Sequence, residues 1–254
     1  MAVPRNKLEI MAAVGTRMKE TAIRGKVFFY GLFAVMLLFS IKAQERRAVF
    51  VVQEKADREE KQGMDALSET APRVALTFDD GPHPKYTKQL LDGLKERGVK
   101  ATFFVIGKNI AGREELIRQM YKDGHIIGNH TFNHVDISKL SSERACEELM
   151  RTSLLVEEIT GSATPYVRPP FGNWNKNLDS RLSMIQVNWT VDPLDWTTEN
   201  TSEIVEKVVT QAEDNAIILL HDYYRSSVEA ALQIIDILSA RGFVFVTVEE
   251  LLLE

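Results

Sequence analysis

Two histidines and a nearby carboxylate have the composition of a catalytic metal site. His130 and His134 are four residues apart, a spacing that puts both imidazoles on one face if this loop contains a helical turn. Asp80 can supply a carboxylate from a neighbouring strand end. Two histidines and one carboxylate form a recognised catalytic set that leaves positions open for water and substrate. A metal at these residues would polarise a carbonyl group and lower the pKa of a bound water.

Further polar residues occur at or directly after the ends of predicted strands. They are Asp79, Arg168, Asp192, Asp195, His221 and Asp222. In parallel α/β folds, active sites form from the loops at the C-terminal ends of the strands. Five loops from one edge of the sheet are therefore expected to converge on one site. Each pattern alone has a simpler interpretation, because a His-x-x-x-His pair is often a surface pair and Asp-Asp-Gly-Pro is typical of turns.

The elements that must position these residues are seven short apolar runs. The predicted strands span residues 74–78, 101–106, 125–128, 166–168, 185–191, 216–220 and 243–248. Segments with helical spacing lie between most of them, at 87–97, 113–122, 143–159, 203–212 and 228–240. Apolar strands that alternate with helices indicate a mainly parallel sheet covered on both faces. Seven such units can close into a barrel or remain an open doubly wound sheet, and this pattern fits both.

Composition excludes several classes of protein. The 254 residues are 44% hydrophobic and 26% charged, which is typical of a globular protein and not of a disordered chain. A net charge of −5 lacks the basic surface expected for nucleic-acid binding. Cys146 is the single cysteine, so the chain can form neither an intrachain disulfide nor a thiolate metal cluster. No protein partner is predicted.

The N-terminal part has a different composition from the rest of the chain. Residues 1–26 carry six Lys or Arg and two Glu, and residues 27–41 carry no charge. We expect a cytoplasmic basic n-region over 1–26, a signal anchor or signal peptide over 27–43, a linker over 44–72 and a catalytic domain over 73–254. A poor cleavage sequence favours the anchor. The catalytic domain is then extracytoplasmic, anchored to the membrane through 27–43 or secreted to the cell wall.

Five segments, in this order, resemble the signatures of the NodB-homology polysaccharide deacetylases, carbohydrate esterase family four. They are Thr77-Phe78-Asp79-Asp80-Gly81-Pro82, His130-Thr131-Phe132-Asn133-His134, Arg168-Pro169-Pro170-Phe171, Asp192-Pro193-Leu194-Asp195-Trp196 and Leu219-Leu220-His221. The resemblance covers residues 73–254. It implies a distorted (β/α)7 barrel of the NodB-homology type, here preceded by an N-terminal hydrophobic helix.

The resemblance also implies a divalent metal held by Asp80, His130 and His134. The metal in this family is usually zinc, and cobalt or nickel sometimes serves. The expected activity is hydrolysis of the N-acetyl group of N-acetylglucosamine residues in a cell-wall glycan such as peptidoglycan. Chitooligosaccharides, an exopolysaccharide, N-acetylmuramic acid residues and O-acetylated xylan are alternative substrates. A catalytically silent glycan-binding wall protein is the alternative of another class.

Four further residues are expected to carry or support proton transfer. By resemblance, Asp79 is the general base for the attacking water and His221 is the general acid that protonates the departing amine. An amide needs such an acid because a free amide anion is a poor leaving group. Arg168 is expected to orient Asp79, and Asp195 is expected to orient His221 and favour its imidazolium form.

Three residues are expected to contact the acetyl group. By resemblance, the backbone N–H of Phe171 stabilises the tetrahedral oxyanion together with the metal. Leu219 and Trp196 are expected to line the small pocket for the acetyl methyl group. Trp196 can equally be a core residue, since buried aromatic side chains are common.

Overall fold

The computed structural model describes residues 36, 54–55, 71–178 and 183–253. The chain divides into two compact units, Met1–Glu69 and Thr70–Glu254, and the architecture below is that of the second. The predicted n-region lies outside the described residues, as do most of the predicted hydrophobic segment and of the linker. Within the described ranges, no helix is long and apolar enough to cross a membrane.

Across residues 71–178 and 183–253, seven parallel strands carry the fold. They are β1 (Arg73–Asp79), β2 (Thr102–Val105), β3 (Ile126–Asn129), β4 (Tyr166–Val167), β5 (Ile185–Gln186), β6 (Ala216–His221) and β7 (Val244–Val246). Their order along the sheet is β5-β4-β3-β2-β1-β6, and β7 pairs with the first residues of β1. The predicted parallel sheet is therefore confirmed.

The chain after β5 decides between an open sheet and a barrel. β5 pairs with β4 at one end of the strand order, and Val191 forms a parallel bridge with Ile218 of β6 at the other end. The Leu219 N–H donates to the Val191 carbonyl oxygen at 2.9 Å. Residues 187–191 thus connect the β5 end of the sheet to the β6 end, and the sheet curves into a distorted, half-closed barrel. The prediction of one continuous strand over 185–191 was wrong, because its two ends pair with different neighbours.

Within the described residues of this unit, six α-helices accompany the strands. They are α1 (Tyr86–Glu96), α2 (Glu114–Lys122), α3 (Ser142–Thr160), α4 (Thr201–Gln211), α5 (Arg225–Ala240) and α6 (Val248–Leu252). The first five start and end within three residues of the predicted bounds. α6 was not predicted, since residues 243–248 were expected to form one strand. The helix begins after Thr247, whose side chain and that of Glu250 form a capping box.

Alternation along β1 and β6 separates the core from the site. Leu76 and Phe78 on β1 and Leu220 on β6 pack into the large cluster beneath the helices. Their neighbours in sequence point to the opposite face of the sheet, because side chains alternate along a strand. Asp79 and His221 therefore face the barrel interior, and the parallel register makes these two residues direct partners.

We expect Leu220→Ala to destabilise the domain by about 2–5 kcal/mol, since it removes a fully buried side chain and leaves a cavity beneath the site. Urea denaturation measures the free energy of unfolding. Leu154→Ala is the matched control because Leu154 is 56% exposed, and its effect should stay within about 0.5 kcal/mol. Equal losses in the two variants would contradict this assignment of the core.

Candidate active site

Three predicted ligands meet at the C-terminal ends of β1 and β3. The Asp80 Oδ1 atom lies 3.5 Å from His130 Nε2 and 3.3 Å from His134 Nε2. One ligand atom from each of the three residues lies within 4.8 Å of the other two. Asp80 Oδ1 is buried and accepts no hydrogen bond from the described residues. A buried carboxylate oxygen without a donor fits a cation, so this set can hold a metal ion.

A hydrogen bond sets the tautomer of His130. Its Nδ1 atom lies 2.6 Å from the backbone carbonyl oxygen of Arg168. A carbonyl oxygen can only accept, so Nδ1 carries the proton and donates. In the neutral ring, Nε2 then presents its lone pair toward Asp80. Metal-binding histidines are commonly held in this way by a backbone carbonyl.

Arg168 is a fully buried cation beside Asp79. Its Nη1 atom donates to Asp79 Oδ1 at 2.8 Å and to Thr77 Oγ1 at 2.7 Å. Its Nε and Nη2 atoms donate to the backbone carbonyl oxygens of Val187 and Asn188, each at 3.1 Å. Burial lowers the pKa of Arg168, and Asp79 opposes that shift. The guanidinium therefore holds one oxygen of Asp79 and leaves Oδ2 on the side of His130, 3.7 Å from its Nε2 atom.

Asp195 binds His221 at two points. Its Oδ1 atom lies 2.7 Å from His221 Nδ1, and its Oδ2 atom accepts the His221 backbone N–H at 2.8 Å. Burial alone lowers the pKa of His221, but the hydrogen bond and charge of Asp195, together with Asp79 and Asp80, raise the pKa to about 9. The ring is therefore protonated at neutral pH and can act as an acid.

A cavity of about 350 Å³ joins these groups. Of the ten predicted site residues, eight line it: Asp79, Asp80, His130, His134, Phe171, Trp196, Leu219 and His221. Arg168 and Asp195 lie behind the wall, almost completely buried. Trp196 is 56% exposed, so of its two expected places it occupies the cavity wall and not the core. Leu219 is buried at the wall of the same cavity.

Sequence reasoning missed several residues at this site. Trp189 and Tyr224 line the cavity, although neither belongs to a motif that predicts chemistry. Asp222, one of the polar residues noted at the predicted strand ends, is fully buried and accepts a hydrogen bond from the Thr87 hydroxyl. A Cβ atom on Gly81 would overlap its carboxylate. Burial raises the pKa of Asp222 to about 7. The signal available in the sequence was the pair His221-Asp222 at the end of an apolar strand.

The remaining histidines lie outside the metal group. His125 is buried, its Nδ1 atom accepts the Ala101 N–H at 3.1 Å, and burial lowers its pKa to about 4. His83 lies beyond the first motif, where its Nδ1 atom accepts the N–H groups of Lys85 and Tyr86 at 3.2 and 3.1 Å. Both rings therefore have hydrogen-bonding roles in the fold.

Asp195→Asn should lower the pKa of His221 by more than about one unit, because burial then acts without the opposing carboxylate. Histidine NMR of the metal-free protein as a function of pH measures this shift. His125 is an internal control in the same spectra, and its titration should not move. An unchanged His221 titration would show that Asp195 does not set its charge.

The same pKa shift has a consequence for stability. The folded-state pKa of His221 lies above its ordinary value of 6.5. Protonation of this ring therefore stabilises the fold fully below pH 6.5, and the contribution is lost as the pH rises through about 9. In Asp195→Asn, the free energy of unfolding should no longer show this loss between pH 6.5 and 9.

Comparisons with known proteins agree with this geometry. The family described as "Polysaccharide deacetylase" matches residues 66–188. The peptidoglycan-N-acetylmuramic acid deacetylase PdaC of Bacillus subtilis is 42% identical over 178 residues, which are 70% of this chain and 38% of that protein. Its solved structure superposes with a TM-score of 0.70 at 41% identity, covering 72% of this chain and 90% of the solved chain.

Two further relatives carry different names. The peptidoglycan-N-acetylglucosamine deacetylase PgdA of Listeria monocytogenes is 34% identical over 72% of this chain and 40% of its own length. This chain thus spans about two fifths of the length of PdaC and PgdA. A chitooligosaccharide deacetylase of Bradyrhizobium is 39% identical over 59% of this chain and 71% of its own length. With relatives of this identity and coverage, and with the same fold, the chain belongs to the polysaccharide deacetylase family.

Proposed function

We propose that this protein removes the acetyl group from N-acetylated amino sugars of a cell-wall glycan. One observation carries the proposal: a group able to hold a metal lies in one cavity with a carboxylate and a protonated imidazole, Asp79 and His221. Amide hydrolysis needs one group to accept a proton from water and another to donate a proton to nitrogen. The two side chains meet those needs from adjacent strand ends.

Asp80, His130 and His134 are the residues proposed to hold the divalent metal, with zinc as the first candidate and cobalt or nickel as alternatives. When bound, the metal supplies Lewis-acid polarisation of the acetyl carbonyl and makes water more acidic. The donor set of two imidazoles and one carboxylate suits these ions. The hydrogen bond from His130 to the Arg168 carbonyl holds that ring in place for binding.

Asp79 is the proposed general base. Arg168 holds its Oδ1 atom, so Oδ2 remains to accept the proton of the attacking water. The positive charge of Arg168 favours the ionised carboxylate, which is the form a base requires. Thr77 also bonds to Arg168, and this second contact restricts the guanidinium to one position.

His221 is the proposed general acid. Asp195 holds Nδ1, which leaves Nε2 to deliver its proton to the departing nitrogen. The proton taken by Asp79 and the proton given by His221 balance the reaction, and the products are acetate and a free amine. A second role of Asp195 is to stabilise the imidazolium before the transfer.

Three residues are proposed to recognise the acetyl group. Phe171 has a left-handed backbone with φ of 63°, and its N–H is proposed to donate to the developing oxyanion. Leu219 and Trp196 are apolar parts of the wall and are proposed to contact the methyl group. The cavity is of the size expected for a small-molecule site.

Two amino sugars of peptidoglycan are the leading substrates. N-acetylglucosamine is proposed first, supported by the name of PgdA, and N-acetylmuramic acid follows, supported by the name and higher identity of PdaC. Chitooligosaccharides, named for the Bradyrhizobium relative, are a third candidate. A silent glycan-binding protein would be expected to lack a ligand or the acid, and this chain keeps each of them.

We also propose that the catalytic domain acts outside the cytoplasm. The basic residues of 1–26 and the uncharged run 27–41 support a signal anchor with the N-terminus inside. N-terminal sequencing of the mature protein tests this proposal. A mature chain that starts at Gln44 would replace the anchor by a cleaved signal peptide.

His130→Ala should abolish retention of metal. The substitution removes one of the three proposed ligands, and the remaining two cannot hold the ion. Metal content after gel filtration, measured by mass spectrometry, reports the loss. His221→Ala is the matched control, because it removes a cavity-lining imidazole that is not a proposed ligand. That control should keep its metal and lose about 10²–10⁴-fold in turnover. Equal metal content in the two variants would contradict the ligand assignment.

Acetate release tests the reaction directly. Residues 70–254 form a compact unit, so both this unit and the full chain are offered peptidoglycan and chitooligosaccharides in parallel. We expect release to stop after chelation and to return with zinc. Mass spectrometry of muramidase-digested peptidoglycan then shows which amino sugar lost its acetyl group. No release from any acetylated glycan by folded, metal-loaded protein would favour the silent binding protein.

A further inference from the structure

Residues 130–134 carry two of the three proposed ligands, and we call this segment the metal loop. Its backbone carbonyl groups bond to the segment that follows β2. The carbonyl oxygen of Thr131 accepts the N–H of Gly107 at 3.0 Å. That of Phe132 accepts the N–H of Lys108, also at 3.0 Å. One side of the metal loop is thus held through its acceptors.

A single carboxylate of α3 accepts the donors on the other side. Glu148 Oε2 accepts the N–H groups of Phe132 and Asn133 at 3.2 and 2.8 Å. Its Oε1 atom accepts from Asn133 Nδ2 at 2.7 Å. Among the described residues, no other group accepts these two backbone N–H groups. Glu148 does not line the cavity, so both of its oxygens serve the metal loop.

The metal loop needs such support because its backbone is strained at two positions. Thr131 and His134 have φ values of 63° and 59°, which residues other than glycine seldom adopt. Conformations of this kind persist only where surrounding contacts enforce them. The N–H groups that Glu148 accepts lie between the two strained residues. Glu148 therefore holds the metal loop at its centre.

The two histidines of the metal loop differ in how their rings are held. His130 has its own anchor, the hydrogen bond from Nδ1 to the Arg168 carbonyl oxygen at 2.6 Å. In the part of the chain that the structure describes, the His134 ring has no hydrogen bond to a backbone carbonyl, and its Nε2 atom lies 3.3 Å from Asp80 Oδ1. The direction of the His134 ring therefore depends on the backbone of the metal loop.

Close packing brings the metal loop within reach of Glu148. A Cβ atom on Gly107 would lie 2.5 Å from Phe132 Cδ2 and 2.5 Å from Thr152 Oγ1, so the segment after β2, the metal loop and α3 meet at this glycine. The guanidinium carbon of Arg151 lies 3.6 Å from the centroid of the Phe132 ring. Phe132 is therefore clamped on α3, one turn from Glu148.

We propose that Glu148 is a positioning residue for the metal, because it holds the metal loop in the conformation that directs the His134 ring toward Asp80. This inference rests on the proposed function, since it takes Asp80, His130 and His134 as the ligands. Glu148 acts through the loop backbone and not as a ligand, because its oxygens already accept three hydrogen bonds. Loss of outer contacts that orient a ligand commonly weakens metal binding about 10–100-fold.

The test is the zinc affinity of the full chain, measured by competition with a chelator of known affinity. Glu148→Ala should raise the dissociation constant for zinc about 10-fold to 100-fold, because two backbone donors lose their acceptor and the metal loop can leave its strained conformation. Glu147→Ala is the matched control. Glu147 is the exposed neighbour of Glu148 on α3, and this variant should keep the wild-type affinity.

A conservative variant separates hydrogen bonding from charge. In Glu148→Gln, the amide oxygen can still accept both backbone N–H groups, and the amide NH₂ can donate to Asn133 Oδ1. We therefore expect its zinc affinity to stay close to that of the wild type.

A further control separates positioning from a general loss of stability. Leu94→Ala removes a fully buried side chain of α1 from the large core cluster. This variant should have a lower free energy of unfolding, while the folded protein keeps its zinc affinity.

An affinity of Glu148→Ala equal to that of Glu147→Ala would overturn the inference. An equal loss in Glu148→Ala and Glu148→Gln would also overturn it, because the effect would then belong to the charge. Hydrogen exchange of the metal-free full chain keeps these outcomes separate from failure of the proposed function. We expect the peptide that contains residues 130–134 to exchange faster in Glu148→Ala than in the wild type, whether or not zinc binds.

The two measurements fail in different ways. A wild type without affinity for zinc would contradict the ligand assignment of the proposed function. Unchanged exchange of the metal loop in Glu148→Ala would instead show that Glu148 does not hold this segment.

Discussion

The buried ion pair of Arg168 and Asp79 is the constraint on which the rest of the site depends. Isolated charges in an apolar interior cost several kcal/mol each, so such a pair persists only when its hydrogen bonds are satisfied. Here Thr77 and two backbone carbonyl oxygens complete the set around the guanidinium. The Arg168 carbonyl oxygen also accepts from His130. One residue of β4's loop thus orients both the proposed base and a proposed ligand.

The ion pair of Asp195 and His221, at the end of β6, has a different task. Asp195 supports a cation that must release its proton, whereas Arg168 supports an anion that must accept one. The difference lies in the cation: His221, with its pKa raised to about 9, can release its proton in the reaction, and the guanidinium of arginine cannot. Because Asp79 and His221 are register partners on β1 and β6, the two proton carriers lie side by side. Hydrogen bonding between two strands therefore sets their separation.

The site loops concentrate unfavourable backbone conformations. Among the described residues outside glycine, left-handed φ values occur at Asp80, Thr131, His134, Phe171 and Leu194, all in these loops, and at Asn215 elsewhere. Each can cost about 1–3 kcal/mol. Two of the five are proposed metal ligands, and a third is the proposed oxyanion donor. This backbone strain arises because short side chains and an N–H group must all point into one cavity. Burial of the core under the helices compensates for the strain.

The sequence by itself determined the parallel α/β class, the approximate bounds of five helices, and ten site residues, of which eight line one cavity and two lie behind its wall. Local signals suffice for these, because strand and helix periods and the motif residues are read over a few positions. Tertiary structure alone decided that Val191 forms a bridge with β6, that Trp196 is exposed, and that the Tyr223 and His83 rings make a T-shaped contact. These features depend on contacts between segments far apart in the chain. The periodicity of side chains along one segment does not indicate which distant strand that segment will contact.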